Sequence, residues 1–157
     1  RSPEMTEAHP VIVVGIDGSE ASADALRWAA NQARLSAGEV QAVITWQTPS
    51  SYGFYVDYTD DDATADARKT LEKVVADVLG EPPSVPVNLR VVKGQPADVL
   101  TEASRSADLL VVGSRGRGAF AGMLLGSVSQ HCVQHASCPV LVFRRPLAEQ
   151  DQKGHGA

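Results

Sequence analysis

The sequence predicts an α/β protein of one domain, with a five-stranded parallel sheet covered by helices on both faces. Five short apolar runs alternate with helical segments along the chain, and this alternation is typical of right-handed crossovers between parallel strands. The 157 residues fit a single domain, and no internal repeat or second apolar core is visible. We therefore expect a doubly wound fold with the strand order 3-2-1-4-5.

The predicted strands are short runs of β-branched residues that end at residues favouring turns. Such runs indicate buried strands. Strands one and four, in VVGID and VVGSRG, both finish in glycine, and we expect them to be neighbours where the strand order reverses. The strands are predicted at residues 11–17, 40–46, 87–94, 109–113 and 139–145.

Helical segments separate these strands. The first has a serine cap, Ser19 or Ser22, and an apolar face of alanine and leucine, and Gly38 is expected to stop it. Residues 47–62 are rich in Pro, Ser, Gly and Asp and predict a long loop, which is either a flap over a ligand or a surface excursion. The other helices are predicted at residues 62–79, 96–106 and 127–136.

Charge and hydropathy narrow the classes of function. The chain carries 14 Lys and Arg against 19 Asp and Glu, a formal net charge of −5. We expect no nucleic-acid partner, because neutralising phosphates needs a basic surface. We expect no membrane partner, because no apolar run reaches the roughly 18–20 residues of a membrane span. Without a signal-peptide core, a cytoplasmic location is expected, with Cys132 and Cys138 as free thiols.

The two ends of the chain are expected to lie outside the folded domain. Residues 1–9 predict a disordered segment, in which Met5 is expected to be the native start and Arg1–Glu4 a remnant of cloning. The polar residues 146–157 predict a disordered tail. The folded domain is therefore expected over residues 10–145.

The stretch VVGSRGRGAFAGMLLGSVSQ, residues 111–130, is the candidate ligand site. In doubly wound sheets, ligands bind beyond the carboxyl ends of the strands, where the strand order reverses. Gly113 and Gly116 are expected to permit a sharp turn and a close approach to the ligand. Ser127 predicts a helix cap in a capping box with Gln130, so that backbone N–H groups would face an anion. The stretch is neither a Walker A loop nor a dinucleotide fingerprint.

Polar side chains near this stretch are further candidates. Arg115 and Arg117 would add positive charge beside an anion or remain solvated, and Ser129 would add a hydroxyl donor. Asp17 closes the first strand and is expected to face Gly113 across the crevice. The alternative for Asp17 is a plain turn before a glycine.

The spacing Gly113-x2-Gly116-x9-Gly126-Ser127 resembles the G-2x-G-9x-G-[S/T] signature of the ATP-binding branch of the universal stress protein family. The segments VVGIDGSEAS, GQPADVL and HASCPVLVFR are similar to the same family, so the resemblance covers roughly residues 10–145. It implies the fold of adenine-nucleotide α-hydrolases and a role in regulation or stress response. It also implies a homodimer paired edge to edge through Val140, Leu141, Val142 and Phe143.

The resemblance further implies an ATP site with Mg²⁺ or Mn²⁺ on the phosphates. Asp17 would lie near the ribose and assist the metal ion. Trp46, with Thr45 beside it, would lie by the adenine, although a core aromatic is the alternative for Trp46. The nucleotide-binding residues that it implies are Gly15, Asp17, Trp46, Gly113, Ser114, Gly116, Arg117, Gly126, Ser127, Val128 and Ser129.

Three other functions stay open at this stage. A slow ATPase would need a base and charge stabilisation at the γ-phosphate, and Asp17 is the one evident base. A cAMP-binding protein would share the adenine and ribose contacts. A ligand-free dimerisation module would use the glycines as structural residues.

Two weaker candidates concern metal ions. His131 and His135 stand four residues apart with two cysteines nearby, which is a spacing that can bind zinc. An acidic cluster would bind a cation or, as we favour, lead into a helix N-terminus, where negative charge is stabilising. Its members are Asp57, Asp60, Asp61 and Asp62.

Overall fold

The computed structural model describes residues 9–48, 59–115 and 125–144. The predicted disordered segments at 1–9 and 146–157 lie outside these ranges apart from His9, and so does most of the predicted loop at 47–62. The strands in the described residues are β1 (Val11–Ile16), β2 (Glu39–Trp46), β3 (Val87–Lys93), β4 (Leu109–Gly113) and β5 (Val140–Phe143). The helices are α1 (Glu20–Ser36), α2 (Asp60–Leu79), α3 (Pro96–Ala103) and α4 (Ser127–His135).

The strands form one parallel sheet in the order β3-β2-β1-β4-β5, which confirms the predicted order. Val14 of β1 packs in one apolar cluster with Leu71 of α2. Its neighbour Val13 packs in a second cluster with Leu100 of α3. Because successive side chains of a strand point to opposite faces, α1 and α2 cover one face of the sheet, and α3 and α4 cover the other. No helix in the described residues is both long and apolar enough to cross a bilayer.

Helix α2 begins two residues earlier than predicted, at Asp60. Thr59 caps it, and Asp62 completes a capping box in which the side chain of each residue accepts the other's backbone N–H at 3.1 Å. Asp60, Asp61 and Asp62 therefore occupy the first turn, where they favour the helix dipole. This confirms the helix-start interpretation of those three residues, while Asp57 lies outside the described part of the chain.

The residue that caps the end of α1 is Ala37, whereas Gly38 was expected to stop the helix. Ala37 takes the left-handed conformation (φ 56°), and the N–H of Gly38 donates to the Ala33 carbonyl at 2.8 Å. Gly38 lacks a side chain for a different reason, because a Cβ there would lie 2.6 Å from the carbonyl oxygen of Pro10. The glycine permits the close approach of the chain that enters β1.

Substitutions at Ala37 and Gly38 are expected to change the free energy of unfolding in opposite directions. Ala37→Gly should raise the free energy of unfolding by about 1 kcal/mol, since glycine adopts the left-handed conformation without a Cβ conflict. Gly38→Ala should lower it by about 1–3 kcal/mol through overpacking against Pro10. Urea denaturation of both variants measures the two changes. Shifts of the same sign would contradict this account of the helix end.

Candidate functional site

A cleft of about 810 Å³ opens at the carboxyl ends of β1, β2 and β4. The inner face of α2 and the first residues of α1, α3 and α4 complete its walls. Because the strand order reverses between β1 and β4, the cleft lies where doubly wound sheets bind ligands.

Most of the predicted site residues line this cleft. Ser114 lies behind the wall and is buried, and Gly116 and Arg117 lie outside the described residues. The predicted residues on the wall are Gly15, Asp17, Trp46, Gly113, Gly126, Ser127, Val128 and Ser129.

Asp17 forms a turn, which was one of the two interpretations of this residue, and it also lines the cleft. Its carboxylate Oδ1 accepts hydrogen bonds from the N–H and the hydroxyl of Ser19, at 2.9 and 2.5 Å. Ser19 in turn accepts the N–H of Ser22 at 3.1 Å and caps α1. Asp17 therefore holds the turn into α1, and its exposed side chain also forms part of the cleft wall.

Gly113 has a packing role that the sequence did not predict. It is the last residue of β4, and a Cβ on it would lie 2.9 Å from Cβ of Ala21 and 3.1 Å from the Ala21 carbonyl carbon. The first turn of α1 therefore fills the space that a side chain would need. Gly15 also lacks room for a side chain, because a Cβ on the other face of the sheet would lie 2.7 Å from Cδ1 of Leu100.

The predicted capping box at Ser127 is wrong. Gly126 is the cap residue, in an extended conformation, and Ser127 is the first helical residue. The Gln130 side chain donates to the Leu125 carbonyl at 3.3 Å instead of reaching back to the cap. Within the described part of the chain no side chain caps α4 or α3, whereas serine and threonine cap α1 and α2. The positive end of the α4 dipole thus faces the cleft, and no side chain among residues 9–48, 59–115 and 125–144 caps it.

Hydrogen bonds through Ser114 fix the start of α4 in place. The Ser114 carbonyl accepts the N–H of Gly126 at 2.7 Å and the hydroxyl of Ser129 at 2.9 Å. The N–H of Ser114 donates to the Phe143 carbonyl at 2.8 Å. The Ser129 hydroxyl, which we expected to donate to a ligand, is therefore bonded to the protein, and its residue is only 2% exposed. Its role is to tie α4 to the ends of β4 and β5.

Trp46 closes the opposite side of the cleft. It is the last residue of β2 and packs in neither of the two apolar clusters, in contrast to Trp28, which packs against one of them. This position argues against the core-aromatic alternative. Nζ of Lys93 lies 5.2 Å from the centroid of the indole, within the range of a cation–π contact. Lys93 also pairs with Asp60 at 3.1 Å, which joins the tryptophan to the start of α2.

One wall of the cleft was missed by the sequence prediction. It consists of one face of α2, hereafter the α2 wall. Its four residues follow one another at intervals of three, one and three positions, which places them on one face of a helix and was the signal for this wall in the sequence. Small and polar side chains at this spacing differ from the leucine and valine residues of α2 that face the core. The α2 wall is formed by Ala63, Asp66, Ala67 and Thr70.

The proposed zinc ligands do not form a metal site. Among the described residues, no group of three or more His, Cys, Asp or Glu is placed to hold a metal ion. Both cysteines are free, as predicted. Cys132 is fully buried in an apolar cluster, and burial raises the pKa of its thiol to about 11, so it is not a thiolate at neutral pH. The rings of His131 and His135 are tilted by 43° to each other, with 4.5 Å between their centroids.

Comparison with known proteins identifies one family. A profile described as Universal stress protein family matches residues 10–144. A universal stress protein of Mycolicibacterium smegmatis is 36% identical over 151 residues, which cover 92% of this chain and 50% of the relative. The chain thus spans about half the length of the relatives that it matches in sequence.

Solved structures of the same family share the fold. The universal stress protein UspA from Lactobacillus plantarum superposes with a TM-score of 0.71 at 22% identity, covering 88% of this chain and 100% of that one. A universal stress protein solved in complex with cAMP has a TM-score of 0.58 at 26% identity, and the match covers 88% of this chain and 98% of that one.

Proposed function

This chain belongs to the universal stress protein family, and from that premise we propose that it binds ATP as a regulatory protein of the stress response. The proposed site is the cleft at the carboxyl ends of β1, β2 and β4. The observation that carries the proposal is that α4 begins at the cleft after the cap residue Gly126, which has no side chain, at the end of the glycine spacing. We place the protein in the cytoplasm, as a prediction from its sequence.

The phosphates are assigned to the start of α4. Ser127, Val128 and Ser129 form its first turn, and the N–H groups of a first turn have no partner within the helix. The dipole of a helix favours an anion at this end. Arg115 also lines the cleft and adds a positive charge, and the residue before it, Ser114, is bonded to Gly126 at the start of α4.

The nucleoside is assigned to the opposite side. The indole of Trp46 offers a flat surface for stacking of a base, and Asp17 lies between it and α4 along the strand ends. Asp17 also supplies the hard carboxylate oxygen that Mg²⁺ or Mn²⁺ prefers, so its chemistry fits a divalent ion bound to the phosphates. The ion would neutralise phosphate charge.

Two alternatives follow from the same cleft. The related structure in complex with cAMP favours cAMP as the second candidate ligand. Slow hydrolysis of ATP is a lesser alternative, because phosphoryl transfer needs a positioned base and charge stabilisation. We assign Asp17 to the turn and the metal ion, and no other base was predicted from the sequence.

Calorimetric titration tests the proposal. The protein is unfolded and refolded to remove any nucleotide acquired during expression, and ATP with Mg²⁺ or cAMP is then added. We expect saturation near one ATP per chain, with weaker binding of cAMP. Tight binding of cAMP alone would replace ATP by the second candidate, and no binding of either would refute a nucleotide site.

We also propose a homodimer through β5. Among the described strands this one pairs with β4 alone and lies at an edge of the sheet, and an unpaired edge is a site for pairing with another chain. The carbonyls of Pro139 and Phe143 accept bonds from the β4 side. Because bonding directions alternate along a strand, the N–H groups of Val140 and Val142 point outward.

The outward N–H of Val142 gives a sharp test of this dimer. Val142→Pro should convert the dimer to a monomer, because proline removes an outward donor and leaves the bonds to β4 intact. The control is Val142→Thr, which keeps the N–H and the β-branched shape. Sedimentation equilibrium should give half the mass for the proline variant alone. An unchanged mass would remove β5 as the interface.

A further inference from the structure

We propose that Lys93 is a positioning residue for the cleft, because its ammonium group holds the indole of Trp46 and the first turn of α2 together. Trp46, Lys93 and Asp60 are hereafter called the clasp. This inference rests on the proposed function and goes beyond it, since Lys93 is not among the predicted site residues and acts through Trp46 without touching the ligand.

The ends of β2 and β3 bring Lys93 beside the indole. Trp46 and Lys93 are the last residues of their strands and partners in the register of the sheet, so their side chains project to the same face. The N–H of Gly94 donates to the Trp46 carbonyl at 2.9 Å, which joins the two backbones at this point. Nζ of Lys93 lies 5.2 Å from the centroid of the indole, and the ring quadrupole attracts a cation at this distance.

Lys93 contacts the indole from outside the cleft. Trp46 lines the cleft, whereas Lys93 lines a neighbouring groove of about 470 Å³ between β3 and α3. The ammonium group therefore supports the indole from behind and does not occupy the space in which a base would stack. Such support matters here because Trp46 packs in neither of the two apolar clusters of the described residues.

The second contact of Lys93 extends the clasp to α2. Nζ of Lys93 lies 3.1 Å from Oδ2 of Asp60, which is the first residue of that helix, in a turn ordered by the capping box. Ala63 follows one turn later and begins the α2 wall. One ammonium group thus joins the indole to the α2 wall, and Lys93 sets how these two parts of the cleft stand relative to each other.

The contacts of the clasp are weak enough to be removed without unfolding the protein. The side chains of Lys93 and Asp60 are 52% and 64% exposed, and exposed ion pairs and exposed cation–π contacts each contribute little to stability. Loss of the clasp should therefore loosen the indole and leave the fold intact. The effect on binding should be confined to the nucleoside side of the cleft, because the phosphates are assigned to the start of α4.

The test compares three ligands in four proteins. ATP, adenosine and inorganic pyrophosphate are titrated into the unchanged chain, Lys93→Met, Lys93→Arg and Lys73→Met, and thermal melting checks the fold of each. Lys93→Met removes the charge at similar length, whereas Lys93→Arg keeps a cation for both contacts. Lys73 is the matched control, because it is an exposed lysine paired with Asp77 at 2.6 Å on α2, and its loss changes the net charge equally.

We expect Lys93→Met to weaken ATP and adenosine about three- to fivefold, which corresponds to the loss of two exposed contacts. Its affinity for pyrophosphate should change less than about twofold. Lys93→Arg should restore both nucleoside ligands to within about twofold of the unchanged chain, and Lys73→Met should alter none of the three affinities.

A second measurement of the same proteins needs no ligand. The ¹⁵N heteronuclear NOE of the Trp46 indole N–H, identified as the signal lost in Trp46→Phe, reports fast motion of the ring. It should fall in Lys93→Met and recover in Lys93→Arg. An NOE that is the same in all of these proteins would mean that Lys93 does not hold the indole.

A double-mutant cycle tests whether Asp60 acts through Lys93. Asp60→Asn alone should weaken adenosine about twofold, and it should have no further effect in the Lys93→Met background. Asp60→Asn also keeps the proposal testable if melting shows that Lys93→Met is unfolded. Additive losses in the cycle would contradict a clasp of three residues.

The possible failures are distinguishable. If the unchanged chain binds ATP and Lys93→Met binds adenosine equally well, the role of Lys93 is refuted and the proposed function stands. Equal losses of adenosine and pyrophosphate also refute that role, since they would indicate a general effect of charge or fold. If the unchanged chain binds no nucleotide, the proposed function falls and takes this inference with it.

Discussion

Ser127→Asp is expected to weaken ATP binding about 100-fold, because a carboxylate at this position meets the phosphates with like charge. Ser127 is the exposed first residue of α4 and lines the cleft. The same substitution should leave the helix as stable as before, or more stable by about 0.3–1 kcal/mol, since a negative charge in the first turn favours the dipole. Binding and stability should therefore change in opposite directions.

Ser127→Asn is the matched control for this prediction. Asparagine has nearly the size of aspartate but no charge, so its effect on ATP affinity should stay within about fivefold. Calorimetry gives the affinities, and urea denaturation gives the stabilities of both variants. An aspartate variant that binds ATP like the asparagine variant would place the phosphates away from α4.

Gly113→Ala is expected to lower the free energy of unfolding by about 2 kcal/mol. The new Cβ would lie 2.9 Å from Cβ of Ala21 and 3.1 Å from its carbonyl carbon, and overpacking of this kind typically costs about 1–3 kcal/mol. Because Ala21 belongs to the first turn of α1, the shift would also move Asp17 and Ser19. ATP affinity should fall together with stability.

A double-mutant cycle separates the steric cause from other effects of the alanine. Ala21→Gly removes one of the two clashing Cβ atoms, so it should recover part of the loss in the Gly113→Ala background. The two substitutions should therefore show a favourable coupling energy of about 0.5 kcal/mol or more. Additive effects would mean that contact with Cβ of Ala21 is not the reason for glycine at this position.

The sheet could be predicted because each strand is encoded locally. VIVVGI and LLVVG are β-branched or aliphatic runs that suit a strand buried on both faces. The details of helix ends were less predictable. At the end of α1 the left-handed position falls on Ala37, because Gly38 is needed for the approach of Pro10. That contact depends on tertiary packing and leaves no local signal.

The location of the cleft was also predictable, since two glycine-ending strands mark the reversal point of the sheet. The α2 wall was not, because its place depends on how α2 is rotated over β2. Leu71 and Val75 set that rotation by packing into the core, and only then do Ala67 and Asp66 face the cleft. Likewise, the local sequence predicted Ser127 as the cap of α4. The cap is Gly126 instead, whose N–H donates to the Ser114 carbonyl.

The most direct measurement follows the backbone amide signals of Ser127, Val128 and Ser129 by NMR during titration with ATP, inorganic pyrophosphate and adenosine. If the phosphates bind at the start of α4, ATP and pyrophosphate should shift these three amide signals strongly, and adenosine should leave them nearly unchanged. Adenosine should instead shift the indole N–H of Trp46. Amide signals at α4 that stay fixed while ATP binds would contradict a phosphate site at this helix.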